Sequence, residues 1–203
     1  QMHAVIFDID GTLLKSYDAD GELFSRSVFD VLGVGNIRES WGEYENVTDS
    51  GILLEILSDN QIAYSEEIHE QVKSRFVALV KTHIDLNGSF LAVLGAQDFV
   101  NRIKNSPRHV CAYATGGWAA AAETKLRSAG FDTENVPLFS ADIAIKRTDI
   151  MLAALNALGG NFKRVTYYGD GHWDQEACRI LGWEFRPVGA KLSGLLHFEN
   201  EFI

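Results

Sequence analysis

The stretch Ala4-Val5-Ile6-Phe7 is continuously apolar and breaks off into Asp8 and Asp10, with Gly11 and Thr12 directly behind. A short run without polar alternation predicts a central strand of a parallel sheet, buried on both faces. From Gly21 the spacing turns helical, with Phe24, Val28, Val31 and Leu32 on one side and Gly33 as the stop. Residues 33–47 read as a loop rich in glycine and polar side chains. Thr48, Asp49 and Ser50 then offer caps for a helix carrying Ile52, Ile56 and Leu57. Ser65 caps a longer helix with Ile68, Val72, Phe76 and Leu79 on one face. No strand pattern interrupts residues 15–87, so this stretch is expected to be an all-helical insert.

Beyond it the rhythm alternates. Residues 95–105 read as a helix, 109–115 as a strand, 118–130 as a helix, and 136–145 hold a short strand. A helix over 148–160, a strand from 164 into the acidic stretch 169–174, a helix to 182 and a last strand over 183–189 complete the chain. Strands alternating with helices predict an α/β fold with a Rossmann-like, doubly wound parallel sheet. Residues 1–14 and 88–203 are expected to form that core, and 15–87 a helical cap inserted into it.

Charge and composition narrow the partners. The 203 residues carry a net charge of -10, and 46% of them are hydrophobic. With a pI near 5.0 and no basic run, neither nucleic acid nor an anionic membrane is expected as partner. No apolar run is long enough to span a bilayer, and the N-terminal residues show no signal-peptide pattern. The two cysteines, Cys111 and Cys178, fall in a strand and a helix pattern and offer no disulfide framework. A cytoplasmic protein, monomer or homodimer, is the resulting expectation.

The candidate chemistry collects at strand ends. Asp8 and Asp10 follow the first strand, Thr115 the second, Lys146 the third, and Asp170 with Asp174 the fourth. In an open parallel sheet, ligands bind outside the carboxyl ends of the strands. Four acids converging there repel one another unless a cation lies between them, which points to a hard divalent metal, most simply Mg²⁺. Thr115 adds a hydroxyl, Gly116 and Gly117 add backbone N–H groups near a helix start, and Lys146 adds a compact positive charge. A metal, an anion cradle, a lysine and a free carboxylate together describe phosphoryl transfer to an aspartate.

This set resembles the haloacid dehalogenase superfamily in its phosphatase branch, over nearly the whole chain. Asp8-Ile9-Asp10-Gly11-Thr12-Leu13 matches the first motif, DxDGT(L/V). Thr115-Gly116 fits the second, Lys146 the third, and Gly169-Asp170 through Asp174 the fourth, GDxxxD. The helical insert is similar to the small cap of phosphoglycolate phosphatase and β-phosphoglucomutase relatives. The resemblance implies a Mg²⁺-dependent phosphatase acting on a small phosphorylated metabolite. Asp8 would be the nucleophile, and Asp10 the general acid and base. The metal would lie on Asp8, Asp10 and Asp170, with Asp174 binding through water or orienting the lysine. A phosphomutase of the β-phosphoglucomutase type is the alternative enzyme, and a non-catalytic or receiver-like phospho-ligand module the alternative class.

The third motif departs from the usual Lys-Pro: here Lys146 is followed by Arg147. Lys146 is expected to be the cation beside Asp8, because a compact ammonium suits a crowded site better than a guanidinium fork. Arg147 is the alternative holder of that role and a further phosphate contact. In the insert, Thr48 and Asp49 are the candidate substrate contacts, with the Trp41–Tyr44 stretch next. The six histidines show no metal-ligand spacing, so no zinc site is expected.

Overall fold

A computed structural model describes residues 2–203. Its sheet is parallel throughout, with strand order β3-β2-β1-β4-β5. The strands are β1 His3–Phe7, β2 His109–Ala114, β3 Leu138–Phe139, β4 Arg164–Gly169 and β5 Glu184–Pro187. β1 is central, and Ala4 through Phe7 are fully buried, as the unbroken apolar run requires. The chain leaves β1 for β2 on one side and later returns to β4 on the other, so the topological switch falls at the end of β1. Phe7 pairs with Tyr113 and with Tyr168. That register sets Asp8 beside Ala114 and Gly169, with Thr115 and Asp170 one residue further on at the same edge of the sheet.

The helices of the core are α4 Ala96–Asn105, α5 Ala119–Ser128, α6 Arg147–Ala157 and α7 His172–Leu181. The insert holds α1 Tyr17–Leu32, α2 Asp49–Asp59 and α3 Glu66–Asn87, plus a single 3₁₀ turn at Trp41–Glu43. We therefore retain 15–87 as a proposed cap unit. Its two connections run side by side: Lys15 N donates to Leu91 O at 2.8 Å, and Val93 N to Leu13 O at 2.8 Å. Thr48 and Ser65 cap α2 and α3, accepting hydrogen bonds from Gly51 N and Ile68 N.

One boundary differs from the expectation. α1 begins at Tyr17, four residues before Gly21, so Gly21 lies inside the helix. An interior glycine costs about 1 kcal/mol of helix propensity. Here the space is used, because a Cβ on Gly21 would stand 3.0 Å from the indole nitrogen of Trp41.

The insert is fastened to the core by α3, which packs against α5, and by the start of α2. Asp49 N donates to Gly116 O at 2.7 Å, Ser50 Oγ donates to Ala141 O at 2.8 Å, and Lys73 pairs with Asp142 at 2.5 Å. Among the described residues, no helix is long and apolar enough to cross a membrane.

Candidate active site

Asp8 is the first residue beyond β1. Its N–H donates to Tyr168 O at 2.9 Å, which turns its side chain out over the sheet edge. The chain then folds back on Ile9, whose carbonyl accepts from Leu13 N at 2.9 Å. Gly11 makes that turn possible: its φ is +82°, and a Cβ there would collide with the carboxylate of Asp170. The glycine of the DxDGT stretch thus lets the acids at the ends of β1 and β4 approach.

Carboxylate oxygens of Asp8, Asp170 and Asp174 lie within 4.8 Å of one another, and all three residues are buried. Burial, then the charge of Asp174, raises the Asp8 carboxyl well above its usual range, with Arg147 opposing. Burial and Asp174 push Asp170 up to about 6. Thr12 Oγ1 donates to Asp170 at 3.3 Å and, at the outer limit, to Asp8 at 3.5 Å. Neither contact neutralises charge. An excess of buried, hard carboxylate oxygen fits a divalent cation such as Mg²⁺.

Asp174 lies within this cluster, but its bonding differs from that of a free ligand. Its Oδ2 accepts from Asp170 N at 3.1 Å and Gly171 N at 3.0 Å, tying the start of α7 to the end of β4. Its Oδ1 faces Arg147 Nη1 at 3.2 Å.

The neighbouring cations at the third motif divide in a way that reverses the sequence expectation. Lys146 is the N-cap residue of α6 and is exposed, and among the described residues it forms no ion pair. Arg147, the next residue, turns inward: Nη1 stands 3.8 Å from Asp8 Oδ1, and Nη2 donates to Val47 O of the insert at 2.6 Å. Burial works against its charge, but Asp174 and Asp8 outweigh it and hold the guanidinium protonated. Its Nε and Nη1 are buried and make no aligned hydrogen bond. Unspent donors beside Asp8 suit an anion. Gly116 permits this placement, because a Cβ there would collide with Arg147 Nη2 and stand 2.9 Å from Val47 O.

Thr115 is buried at the end of β2 and accepts from Gly117 N at 3.0 Å, which leaves its hydroxyl proton to donate. Thr48 lines the pocket, and its hydroxyl donates to Ile145 O at 2.6 Å and accepts from Gly51 N at 3.0 Å, so its proton is engaged within the protein and one lone pair is left. Asp49 does line the pocket, together with Trp41 and Trp173. His172 is exposed at the first position of α7. Cys111 and Cys178 are free and buried.

One functional neighbour was missed by motif reading. Lys125 of α5 is 2% exposed and reaches Asp10 Oδ1 at 2.6 Å and Asp20 Oδ1 at 2.5 Å. Ser16 Oγ donates to the same Asp10 oxygen at 2.5 Å. Burial disfavours the ammonium, but Asp10 and Asp20 outweigh it and raise its proton affinity. The available signal was positional: Trp118, Ala121, Ala122 and Leu126 form an apolar stripe on α5, and Lys125 falls inside it.

The architecture is shared with known structures. A hydrolase from Pseudomonas syringae superposes with TM-score 0.73 at 18% identity, over 92% of this chain and 84% of that one. CbbY from Rhodobacter sphaeroides, in complex with phosphate, gives 0.69 at 21% identity, over 100% and 91%. β-Phosphoglucomutase from Clostridium difficile gives 0.69 at 16%, over 98% and 87%. No curated protein matches the chain in sequence. The family model of haloacid dehalogenase-like hydrolases matches residues 2–182, which span all the strand-end clusters described above, and the chain belongs to that hydrolase family.

Proposed function

We propose that this hydrolase is a Mg²⁺-dependent phosphatase that cleaves a small phosphate monoester through an aspartyl-phosphate on Asp8. The observation that carries the reading is the pairing of a buried Asp8 with unspent Arg147 donors on one side and Asp10 two residues on. The carboxylates of Asp8 and Asp170 and the backbone carbonyl of Asp10 would hold the ion. Bound there, Mg²⁺ supplies positive charge to the phosphoryl oxygens.

Asp8 forms a bond to phosphorus as the bond to the alcohol oxygen breaks. Asp10 gives its proton to that oxygen, so the alcohol departs neutral. Water then attacks phosphorus, Asp10 takes the proton back, and the P–O bond to Asp8 breaks to release inorganic phosphate. Thr115 and Arg147 hold the transferring oxygens, and Arg147 takes the role expected of Lys146. Asp174 orients Arg147 through its Oδ1. The insert acts as the cap, since its Val47 and Asp49 backbones are bonded to Arg147 and Gly116 and so screen the site from bulk water.

Phosphate release from 4-nitrophenyl phosphate, with and without Mg²⁺, tests the activity. Asp8→Asn is expected to abolish turnover, and acid quenching of the wild type is expected to trap a phosphorylated Asp8 detectable by mass spectrometry. Undiminished turnover by a folded Asp8→Asn protein would remove the covalent mechanism.

A further inference from the structure

The pocket beside Asp8 continues past Asp10 toward α1 and α2, where the departing alcohol must sit. Its walls there are Asp20, Phe24, Trp41, Asp49 and Ile52. Among the residues lining the whole pocket, the one cation is Arg147, at the Asp8 end and engaged with Asp174 and Val47. Lys125 lies behind the wall, 2% exposed, and is shared between Asp10 and Asp20. That ammonium is bonded to Asp10 and Asp20 and not to Asp49. Asp49 is 9% exposed; its Oδ2 accepts from Trp118 N at 3.1 Å, and its Oδ1 has no hydrogen-bond partner. Lys191 stands at the Asp8 end as well, 3.8 Å from Asp170 and over the ring of Tyr17, at the edge of the lining.

A second anionic group on the alcohol would meet two acids here, while the cations bordering the pocket, Arg147 and Lys191, lie at the Asp8–Asp170 end. Burial and the neighbouring acids already hold the proton affinities of Asp49 and Asp20 above the usual carboxylate range, so a further negative charge beside them is disfavoured. A primary ammonium would meet the opposite environment: the unpartnered oxygen of Asp49, the carboxylate of Asp20, and the rings of Phe24 and Trp41, whose faces attract cations. Those rings pack edge to face at 5.7 Å, so the wall is rigidly aromatic.

We propose that this end of the pocket selects phosphate monoesters of amine-bearing alcohols and rejects those whose alcohol carries a carboxylate or a second phosphate. The proposal rests on the phosphatase reading above. It also disfavours the phosphomutase alternative, because a bisphosphate intermediate needs a second phosphate site and this end of the pocket carries acids in its place.

Three esters of nearly equal size test it: O-phosphoethanolamine, propyl phosphate and phosphoglycolate, with 4-nitrophenyl phosphate as reference and Mg²⁺ present. The expected order of kcat/KM is ammonium, neutral, carboxylate, with at least about a tenfold gap between the ends. Asp49→Asn keeps an oxygen for Trp118 N–H and removes the charge. It is expected to shrink the ammonium-to-carboxylate ratio several-fold, with thermal melting as the check on folding and Asp20→Asn as the second variant. Phosphoglycolate cleaved as well as O-phosphoethanolamine, or a ratio unmoved in both folded variants, would overturn the selectivity while leaving the phosphatase reading intact. No turnover of any ester, 4-nitrophenyl phosphate included, would overturn the phosphatase reading and this one with it.

Discussion

Lys125 Nζ lies 2.6 Å from Asp10 Oδ1, although 115 residues separate them in the chain. The same ammonium holds Asp20 of α1 at 2.5 Å, so one buried lysine of the core joins the proposed general acid to the helical insert. Asp10 Oδ1 is committed to Lys125 and Ser16, which fixes the carboxyl's orientation and leaves Oδ2 for the substrate.

Removing that lysine is expected to cost stability and to change selectivity among leaving groups. Lys125→Met leaves two carboxylates buried without their cation, and breaking a buried pair in this way costs about 3–5 kcal/mol. Urea denaturation measures that loss. In protein that remains folded, turnover of an alkyl phosphate is expected to fall more than that of 4-nitrophenyl phosphate. An alkoxide needs a well-placed proton, whereas 4-nitrophenolate leaves readily without one. Equal falls on both esters would assign Lys125 a purely structural role.

Arg147 and Lys146 separate by paired substitution. Arg147→Ala removes the buried donors beside Asp8 and is expected to lower kcat by about a hundredfold or more, in line with losing a transition-state donor. Lys146→Ala changes an exposed N-cap residue and is expected to leave kcat within about twofold and stability within about 0.5 kcal/mol. Arg147→Lys is expected to recover only part of the loss, because an ammonium cannot reach Val47 O and Asp174 together as the guanidinium fork does. Steady-state kinetics on 4-nitrophenyl phosphate decides the order.

The acid cluster sets a pH dependence in metal-free protein. Asp170 has a folded-state value near 6, above its ordinary 3.8. Between those values the folded state binds more protons than the unfolded state, so this carboxyl's contribution to stability falls as pH rises from about 4 to 6. The loss amounts to about 3 kcal/mol for a shift of that size. Asp170→Asn removes it. Without metal, the variant is therefore expected to gain stability relative to the wild type on going from pH 4 to pH 7. Saturating Mg²⁺ is expected to reverse the order at pH 7, since only the wild type keeps the ligand. Melting temperatures of both proteins at the two pH values, with EDTA or Mg²⁺, read this directly.

The sheet, the helical insert and the acid pair were legible in the residues alone. An unbroken apolar run has one stable place in a parallel sheet, at its centre, and acids directly after it must emerge at the edge where the strands end. Spacing carried Asp8, Asp10, Thr115 and Asp170 to that edge, because strand register brings equivalent positions level whatever lies between them. The start of α1 was misread at Gly21, because a glycine that ordinarily marks a helix end here makes room for Trp41.

Which cation faces the acids, and what lies at the far end of the pocket, depended on how the elements pack. Lys146 and Arg147 are neighbours, and adjacent residues at a helix start point in different directions. The helix phase, set by how α6 packs on the sheet, turned Arg147 inward. The docking of α2 put Thr48 in the pocket wall and directed its hydroxyl proton to Ile145 O. Lys125 belongs to no motif, and the cap stretch Thr48-Asp49 marks Asp49 only as a candidate contact. Their place beside Asp10 and Asp20 comes from α5 packing against the insert and α2 closing on the loop after β2, contacts between segments far apart in the chain, and local spacing carries no record of such contacts.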